Sequence, residues 1–123
     1  MIILDYQDRR PIYEQIVEKF QILIVQGVLE ADSQMPSVRK LAMELSINPN
    51  TIQRAYTELE KQGFIYPVKG KGNFVSPNPE IVEKKRQVYL EGLRKVIAQG
   101  RNLGIPKDVL LEQARKFYEE GQL

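Results

Sequence analysis

Apolar residues recur three or four positions apart in five stretches of the chain, which is the spacing of one buried face of an α-helix. These stretches follow Pro11, Ser37, Asn48, Pro79 and Gly104. Asn48 and Pro49 give the sharpest signal, because asparagine caps helix N-termini and proline loses no hydrogen bond at the first helical position. Glycine often follows the last turn of a helix, so we predict that the first, third and fourth helices end near Gly27, Gly63 and Gly100.

After the third helix, the chain changes to short runs of aromatic and β-branched residues. Phe64-Ile65-Tyr66 and Asn73-Phe74-Val75 flank a basic, glycine-rich segment over 67–72. This pattern predicts a β-hairpin with a mobile tip. The segment that follows, Ser76-Pro77-Asn78-Pro79, is typical of a linker.

The predicted order of helix, helix, turn, helix and hairpin is that of a winged helix-turn-helix. The major groove of B-DNA is about 12 Å wide and accepts one α-helix, whose N-terminal residues meet the base edges. The expected fold class is mainly α with a small β-hairpin. We predict a winged helix-turn-helix DNA-binding domain over 1–76 and a two-helix C-terminal dimerisation segment over 77–123.

The predicted helix over 49–62 has one apolar face and one polar face. The apolar face, which we expect to pack on the second helix, consists of Ile52, Ala55, Tyr56 and Leu59. The polar residues of the other face and first turn are Asn50, Thr51, Gln53 and Arg54. Such side chains hydrogen-bond to base edges and phosphates, and a helix N-terminus favours a nearby phosphate. An ordinary solvated face is the alternative interpretation.

Composition narrows the functional classes. The chain has 123 residues, without cysteine or histidine, which removes disulfides, thiolate metal sites and the usual neutral-pH general base. We therefore expect no enzyme activity, no cofactor and no metal. No apolar run approaches the roughly 20 residues that span a bilayer, and no basic segment precedes an apolar one at the N-terminus. The expected location is the cytoplasm, with no membrane partner.

Charge is distributed unevenly, although the net charge is only +2. Residues 1–34 carry three basic and six acidic side chains, whereas residues 35–76 carry six basic and three acidic ones. Such asymmetry indicates a surface that faces an anion. A mixed solvated surface would give the same pattern.

Several ordered motifs resemble the DNA-binding domain of GntR-type bacterial transcription regulators. They are Met35-Pro-Ser-Val-Arg-Lys-Leu-Ala42, Asn48-Pro-Asn-Thr-Ile-Gln-Arg-Ala-Tyr-Thr-Glu-Leu-Glu60, Gly63-Phe-Ile65 and Gly70-Lys-Gly-Asn-Phe-Val75. Asp5 and Pro11-Ile-Tyr-Glu-Gln-Ile16 are similar to that domain's entry strand and first helix, so the resemblance covers residues 3–76. The short two-helix tail resembles the YtrA-like subfamily.

The resemblance implies roles for individual residues. Arg39 matches an arginine that contacts the DNA backbone and bases, and Asn50, Thr51, Gln53 and Arg54 match the recognition face. Lys69, Gly70, Lys71 and Gly72 match the wing that approaches the minor groove, where glycine allows close contact. Pro49 departs from the family pattern, in which many members have arginine, so operator preference is not transferred. We expect a repressor, and the YtrA-like resemblance implies that its operator controls transporter genes.

The two helices of the tail have two interpretations: they fold back onto the DNA-binding domain, or they pair with a second copy. Two short helices bury little apolar area alone, and two recognition helices about 34 Å apart would fit a palindromic operator. We therefore predict a homodimer. Its interface residues are Tyr89, Leu93, Val96, Ile97, Leu110, Ala114 and Phe117. The sequence identifies no small-molecule effector.

Other interpretations of these residues are open from sequence. Arg39 could form a surface ion pair with Glu44, and Gly70-Lys71-Gly72 could be a plain hairpin turn. A winged-helix protein-interaction module without DNA binding would need apolar residues on the exposed face of the third helix. An enzyme is disfavoured because a chain ending at Leu123 leaves no room for a large catalytic domain.

Overall fold

The structure, a computed structural model, describes residues 2–77 and 79–121, with Pro79 described only as part of a helix. The predicted linker residue Asn78 and the terminal residues Met1, Gln122 and Leu123 lie outside the described residues. The chain divides into two compact units, Met1–Val82 and Glu83–Leu123.

The described residues form five helices and one antiparallel hairpin, which confirms the predicted fold class. In chain order the elements are α1 (Ile12–Val25), α2 (Val38–Leu45), α3 (Pro49–Lys61), β1 (Ile65–Val68), β2 (Gly72–Val75), α4 (Pro79–Asn102) and α5 (Lys107–Glu120). The hairpin pairs Ile65 with Val75 and Val68 with Gly72.

Side-chain caps fix the start of both helices of the helix-turn-helix. The Ser37 hydroxyl accepts a hydrogen bond from the Lys40 amide at 3.1 Å, and Asn48 Oδ1 accepts one from the Asn50 amide at 2.8 Å. Ser46 ends α2 with φ of +54°, a left-handed conformation that turns the chain sharply. The capping bond of Asn48 and the left-handed residue Ser46 therefore keep the turn between α2 and α3 short.

The core of the first unit lies between α1, α2, α3 and the hairpin. Phe20 on α1 contacts Tyr56 on α3 edge-to-face, with ring centroids 5.7 Å apart. The fully buried α3 residues Ile52, Ala55 and Leu59 complete this contact, so the apolar face of α3 is hidden as predicted. This burial fixes which side of α3 remains outside.

Tyr56 also ties α3 to the start of α2. Its hydroxyl donates a hydrogen bond to the Pro36 carbonyl at 2.6 Å, and burial raises the pKa of Tyr56 well above its ordinary value. We expect Tyr56→Phe to lower the free energy of unfolding by about 1–3 kcal/mol, because the carbonyl loses its donor. Urea unfolding measures this as a lower midpoint at unchanged slope.

Tyr118→Phe is the matched control, because Tyr118 is 88% exposed and its hydroxyl has no described partner among residues 2–77 and 79–121. We expect that control to change stability by less than about 0.5 kcal/mol. Equal effects of the two substitutions would refute the role given to the Tyr56 hydroxyl.

The connector between α1 and α2 adds a third, short backbone pairing to the hairpin. Val75 donates its amide to Ser33 at 2.9 Å, and Met35 donates to Asn73 at 2.8 Å. The expected entry strand near Asp5 is wrong: residues 2–5 are not a strand. Buried Gln15 instead holds Asp5 through two hydrogen bonds of 2.9 Å to its backbone, so a side-chain clamp replaces strand pairing there.

The second unit corrects one predicted helix end. Helix α4 continues past Gly100 and ends at Asn102. Gly100 is buried, and a Cβ added there would lie 3.4 Å from Leu110 Cδ2. Gly104, with φ of +82°, makes the turn into α5 instead. Gly100 is therefore explained by close packing of α5 on α4, not by termination of the helix.

Candidate nucleic-acid interface

Helix α3 presents a polar surface on the side opposite its buried face. Asn50, Gln53 and Arg54 are exposed, and Thr51 is half-buried. Gln53 Nε2 donates to Thr57 Oγ1 at 3.3 Å, a long bond one turn away. Within the described chain, none of the large exposed apolar side chains lies on α3. The surface therefore offers amide, hydroxyl and guanidinium groups, not the apolar contacts of a protein-docking face.

Arg39 lies in the first turn of α2 and is exposed. The ion pair with Glu44 that the sequence left open is not present, and residues 2–77 and 79–121 provide no other carboxylate within 4.0 Å of its guanidinium. Its planar fork of donors is therefore available to an external anion, as bidentate phosphate binding requires.

The predicted wing is a tight, basic turn. The Lys71 amide donates to the Val68 carbonyl at 2.9 Å, and Gly70 and Gly72 have φ of +78° and +105°, a region that other residues adopt only with strain. Lys69 and Lys71 are exposed on this turn. All four predicted wing residues thus lie together at one end of the hairpin.

Side chains of the connector hold the wing in place, and sequence reasoning missed them. Gln34 Nε2 donates to the Lys71 carbonyl at 2.7 Å. The Tyr66 hydroxyl donates to Asp32 Oδ1 at 2.7 Å, and this bond to a carboxylate raises the pKa of Tyr66. Asp32 and Gln34 lie shortly before α2 in the sequence, and no local pattern there indicates hydrogen bonds to the hairpin. Both bonds join residues more than 30 positions apart.

Cations of the candidate interface differ from most other arginines in their partners. Arg10, Arg86, Arg94 and Arg115 each form an ion pair with a carboxylate. Across the described residues, Arg39 and Arg54 form no such pair, and neither Lys69 nor Lys71 forms one, as is the case for every described lysine. Unneutralised cations on α2, α3 and the wing favour an anionic partner.

Arg54 has a neighbour that the sequence did not indicate. Its guanidinium carbon lies 3.9 Å from the centroid of the Tyr13 ring on α1. The sequence predicted Arg54 on the recognition face and gave no indication that Tyr13 would contact it. The structure brings the two together through the packing of α1 on α3.

In the described residues, no group of three or more acidic, cysteine or histidine side chains could hold a metal ion. No described helix combines the length and the apolar character needed to cross a membrane.

Comparison with known proteins identifies the family. The model of bacterial regulatory proteins of the gntR family matches residues 12–75, more than half of the chain. The chain belongs to the GntR family. It is thus a DNA-binding transcriptional regulator by class, and its helix-turn-helix and wing fall within the matched residues.

Individual relatives show how far the similarity of this GntR-family regulator extends. The transcriptional repressor YtrA of Bacillus subtilis is 36% identical over 95% of this chain and 92% of its own. The uncharacterized HTH-type transcriptional regulator YhcF of the same species is 36% identical over 94% of this chain and 97% of its own. The similarity includes the tail, which confirms the YtrA-like prediction, and these relatives are regulators, not enzymes.

Solved structures agree with the sequence relatives. A GntR family transcriptional regulator from Listeria monocytogenes has a TM-score of 0.77 and 37% identity, covering 92% of this chain and 98% of its own. The DNA-binding domain of AraR, solved in complex with operator ORR3, has a TM-score of 0.53 and 31% identity over 60% of this GntR-family chain and 89% of its own.

Proposed function

We propose that the chain is a sequence-specific DNA-binding repressor that acts as a homodimer on a palindromic operator. Residues 1–76 form the DNA-binding domain in this proposal, and residues 77–123 form the dimerisation segment. The observation that carries it is the exposed polar face of α3, with Asn50, Gln53 and Arg54 opposite a fully buried apolar face. A related domain, that of AraR, was crystallised with operator DNA.

In this proposal α3, Arg39 of α2 and the wing would each contact a different part of the DNA. Asn50, Thr51, Gln53 and Arg54 would meet the edges and backbone of the major groove. Arg39 would bind backbone phosphate and hold the register. The wing residues Lys69, Gly70, Lys71 and Gly72 would approach the minor groove. Phosphate neutralisation would supply much of the affinity, so binding would weaken steeply with salt.

Exposed apolar side chains of the tail support the proposed homodimer. Tyr89, Leu93, Val96 and Phe117 are between 51% and 64% exposed in the single chain, and Ile97 and Ala114 are also exposed while Leu110 is half-buried. Apolar side chains at this density mark a surface that becomes covered. A second copy of the chain is the occupant that also explains two half-sites.

The direction of regulation is inferred from the relative YtrA. YtrA is a transcriptional repressor, so we infer repression for this chain as well, in the cytoplasm and without a catalytic role. Control of transporter genes is inferred from the YtrA-like resemblance. We assign no effector.

Selection of bound duplexes from a random pool, together with the mass of the complex in solution, tests this function. We expect an enriched palindrome whose half-site centres lie about one helical turn, or a whole number of turns, apart. Two chains should occupy each site. Failure to enrich any sequence would refute sequence-specific binding, and one chain per site would refute the homodimer.

Gln53→Ala should reduce the discrimination among bases at one position of each half-site by about fivefold, because a good side-chain contact to a base edge contributes about 1 kcal/mol or more. Affinity for unrelated duplex should stay within about twofold, since a base-edge contact adds little to non-specific binding. Competition with a series of single-base operator variants measures this. Gln26→Ala is the control, since Gln26 is an exposed glutamine at the end of α1; loss of the same preference in the control would contradict the assignment.

A further inference from the structure

The contact between Tyr13 and Arg54 joins the first helix of the unit to the exposed side of α3. The Arg54 guanidinium carbon lies 3.9 Å from the centroid of the Tyr13 ring, within the range of a cation–π interaction. Tyr13 is half-buried and packs against the hydrophobic core. Arg54 is exposed. The Tyr13 ring is therefore fixed by the core, and its contact with Arg54 determines the direction of the arginine side chain.

The contact leaves the hydrogen-bonding capacity of Arg54 unused. A guanidinium carries its five N–H donors in its own plane, while the ring is approached through its face. In the part of the chain that the structure describes, Arg54 donates no hydrogen bond and forms no ion pair. Its donors are therefore free to bind an oxygen anion while the ring holds the group in place.

The direction in which Arg54 is held is toward α1. Helix α1 packs along the side of α3 that includes Gln62, because Gln21 of α1 donates a hydrogen bond to Gln62. Arg54 and Gln62 are eight residues apart, and about 100° per residue places them about 80° apart around the helix. The guanidinium thus leans from the outward face of α3 toward its α1 flank. If α3 enters the groove with its outward face toward the bases, this flank would meet the DNA backbone and not the base edges.

We propose that Tyr13 is a positioning residue that directs Arg54 to a backbone phosphate at the α1 flank of the recognition helix. This inference rests on the proposed DNA-binding function and assigns a partner to Arg54 within it. The Tyr13 hydroxyl is not needed: it donates only a long bond of 3.3 Å, to Glu14 Oε1. The aromatic face is what the proposal requires.

A double-mutant cycle on operator binding tests the coupling. Tyr13→Leu keeps an apolar side chain and should weaken binding about two- to fivefold, the range that a cation–π contact at an exposed site supports. Arg54→Ala should weaken binding more, and for all sequences alike. Tyr13→Leu should then cost nothing further in the Arg54→Ala background, and Tyr13→Phe should bind like the unchanged chain. Independent effects of the two substitutions in the cycle, or a loss of affinity with Tyr13→Phe equal to that with Tyr13→Leu, would overturn the proposal.

A measurement without DNA separates this proposal from the proposed function. In the free protein, NMR should show upfield ring-current shifts of the Arg54 side-chain protons, retained in Tyr13→Phe and absent in Tyr13→Leu. Arg54 shifts that are unaffected by Tyr13→Leu would overturn the positioning role even if operator binding is normal. If the unchanged chain selects no DNA sequence while these shifts are present, the DNA-binding function fails and the Tyr13–Arg54 contact stands without a phosphate to direct it to.

Discussion

Replacing Arg39 by alanine is expected to weaken binding of operator and unrelated duplex to a similar degree, by about tenfold for each half-site and about 100-fold for a dimer. The reason is that a hydrogen bond to a charged group contributes about 1.5 kcal/mol or more. Arg39 is exposed in the first turn of α2 and has no carboxylate partner in the described chain. The substitution therefore removes the proposed interaction with DNA without breaking an ion pair inside the described chain.

Titrations of both duplexes at several salt concentrations measure this effect. The slope of log affinity against log salt should become shallower by about one for each phosphate that the variant no longer neutralises. Lys61→Ala is the matched control, because it removes one positive charge from the exposed end of α3, far along the helix from its N-terminus. If Arg39→Ala and Lys61→Ala reduce affinity equally, net charge and not a specific phosphate interaction explains the weaker binding.

The helix-turn-helix could be predicted from sequence because its determinants are local. Ser37 and Asn48 cap the two helices through bonds that span only two or three residues, and Pro49 occupies the first helical position. The spacing of Ile52 and Leu59 fixed which side of α3 is buried. The candidate recognition face followed directly, since it is the complement of that buried side.

What sequence reasoning missed depends on contacts between distant residues. The bond from Gln34 to the Lys71 carbonyl spans 37 residues, and the Tyr66–Asp32 bond spans 34. Tyr13 meets Arg54 only because α1 packs on α3. Gly100 was assigned to a helix end because glycine often stops helices, but its small size instead serves the approach of Leu110. In each case the sequence shows the residue type, but the residue that it contacts depends on the fold.

The exposed apolar residues of the predicted tail interface and the polar face of α3 would both serve the binding of two operator half-sites at once. A single recognition helix reads only a few base pairs, so the affinity for a long site depends on binding two half-sites together. Connecting two binding units raises overall affinity by about 100-fold or more when both can engage at once. If the tail provides that connection, damage to the tail should impair binding to a full operator without changing the DNA-binding unit.

Val96→Glu is expected to convert the proposed homodimer to monomers at micromolar concentration. It should also lower affinity for the full operator by about 100-fold or more, the gain that linking two binding units provides. Val96 is 60% exposed in the single chain, so the glutamate is tolerated in the monomer. In the predicted interface, each copy would bury an unpaired charge, which costs several kcal/mol per ion. Sedimentation gives the mass, and titration with full operators and isolated half-sites gives the two affinities.

Gln99→Glu is the matched control, since it adds the same charge at an exposed position of α4 outside the predicted interface residues, and it should leave both mass and affinity unchanged. Isolated half-sites should bind Val96→Glu as well as the unchanged chain, because Val96 belongs to the second unit and the recognition face to the first. A monomeric Val96→Glu variant with full operator affinity would contradict cooperation between half-sites. A variant that remains dimeric would instead contradict the predicted interface. A two-fold interface that contains Val96 would bury two unpaired carboxylates, and the free energy of that burial would weaken the dimer.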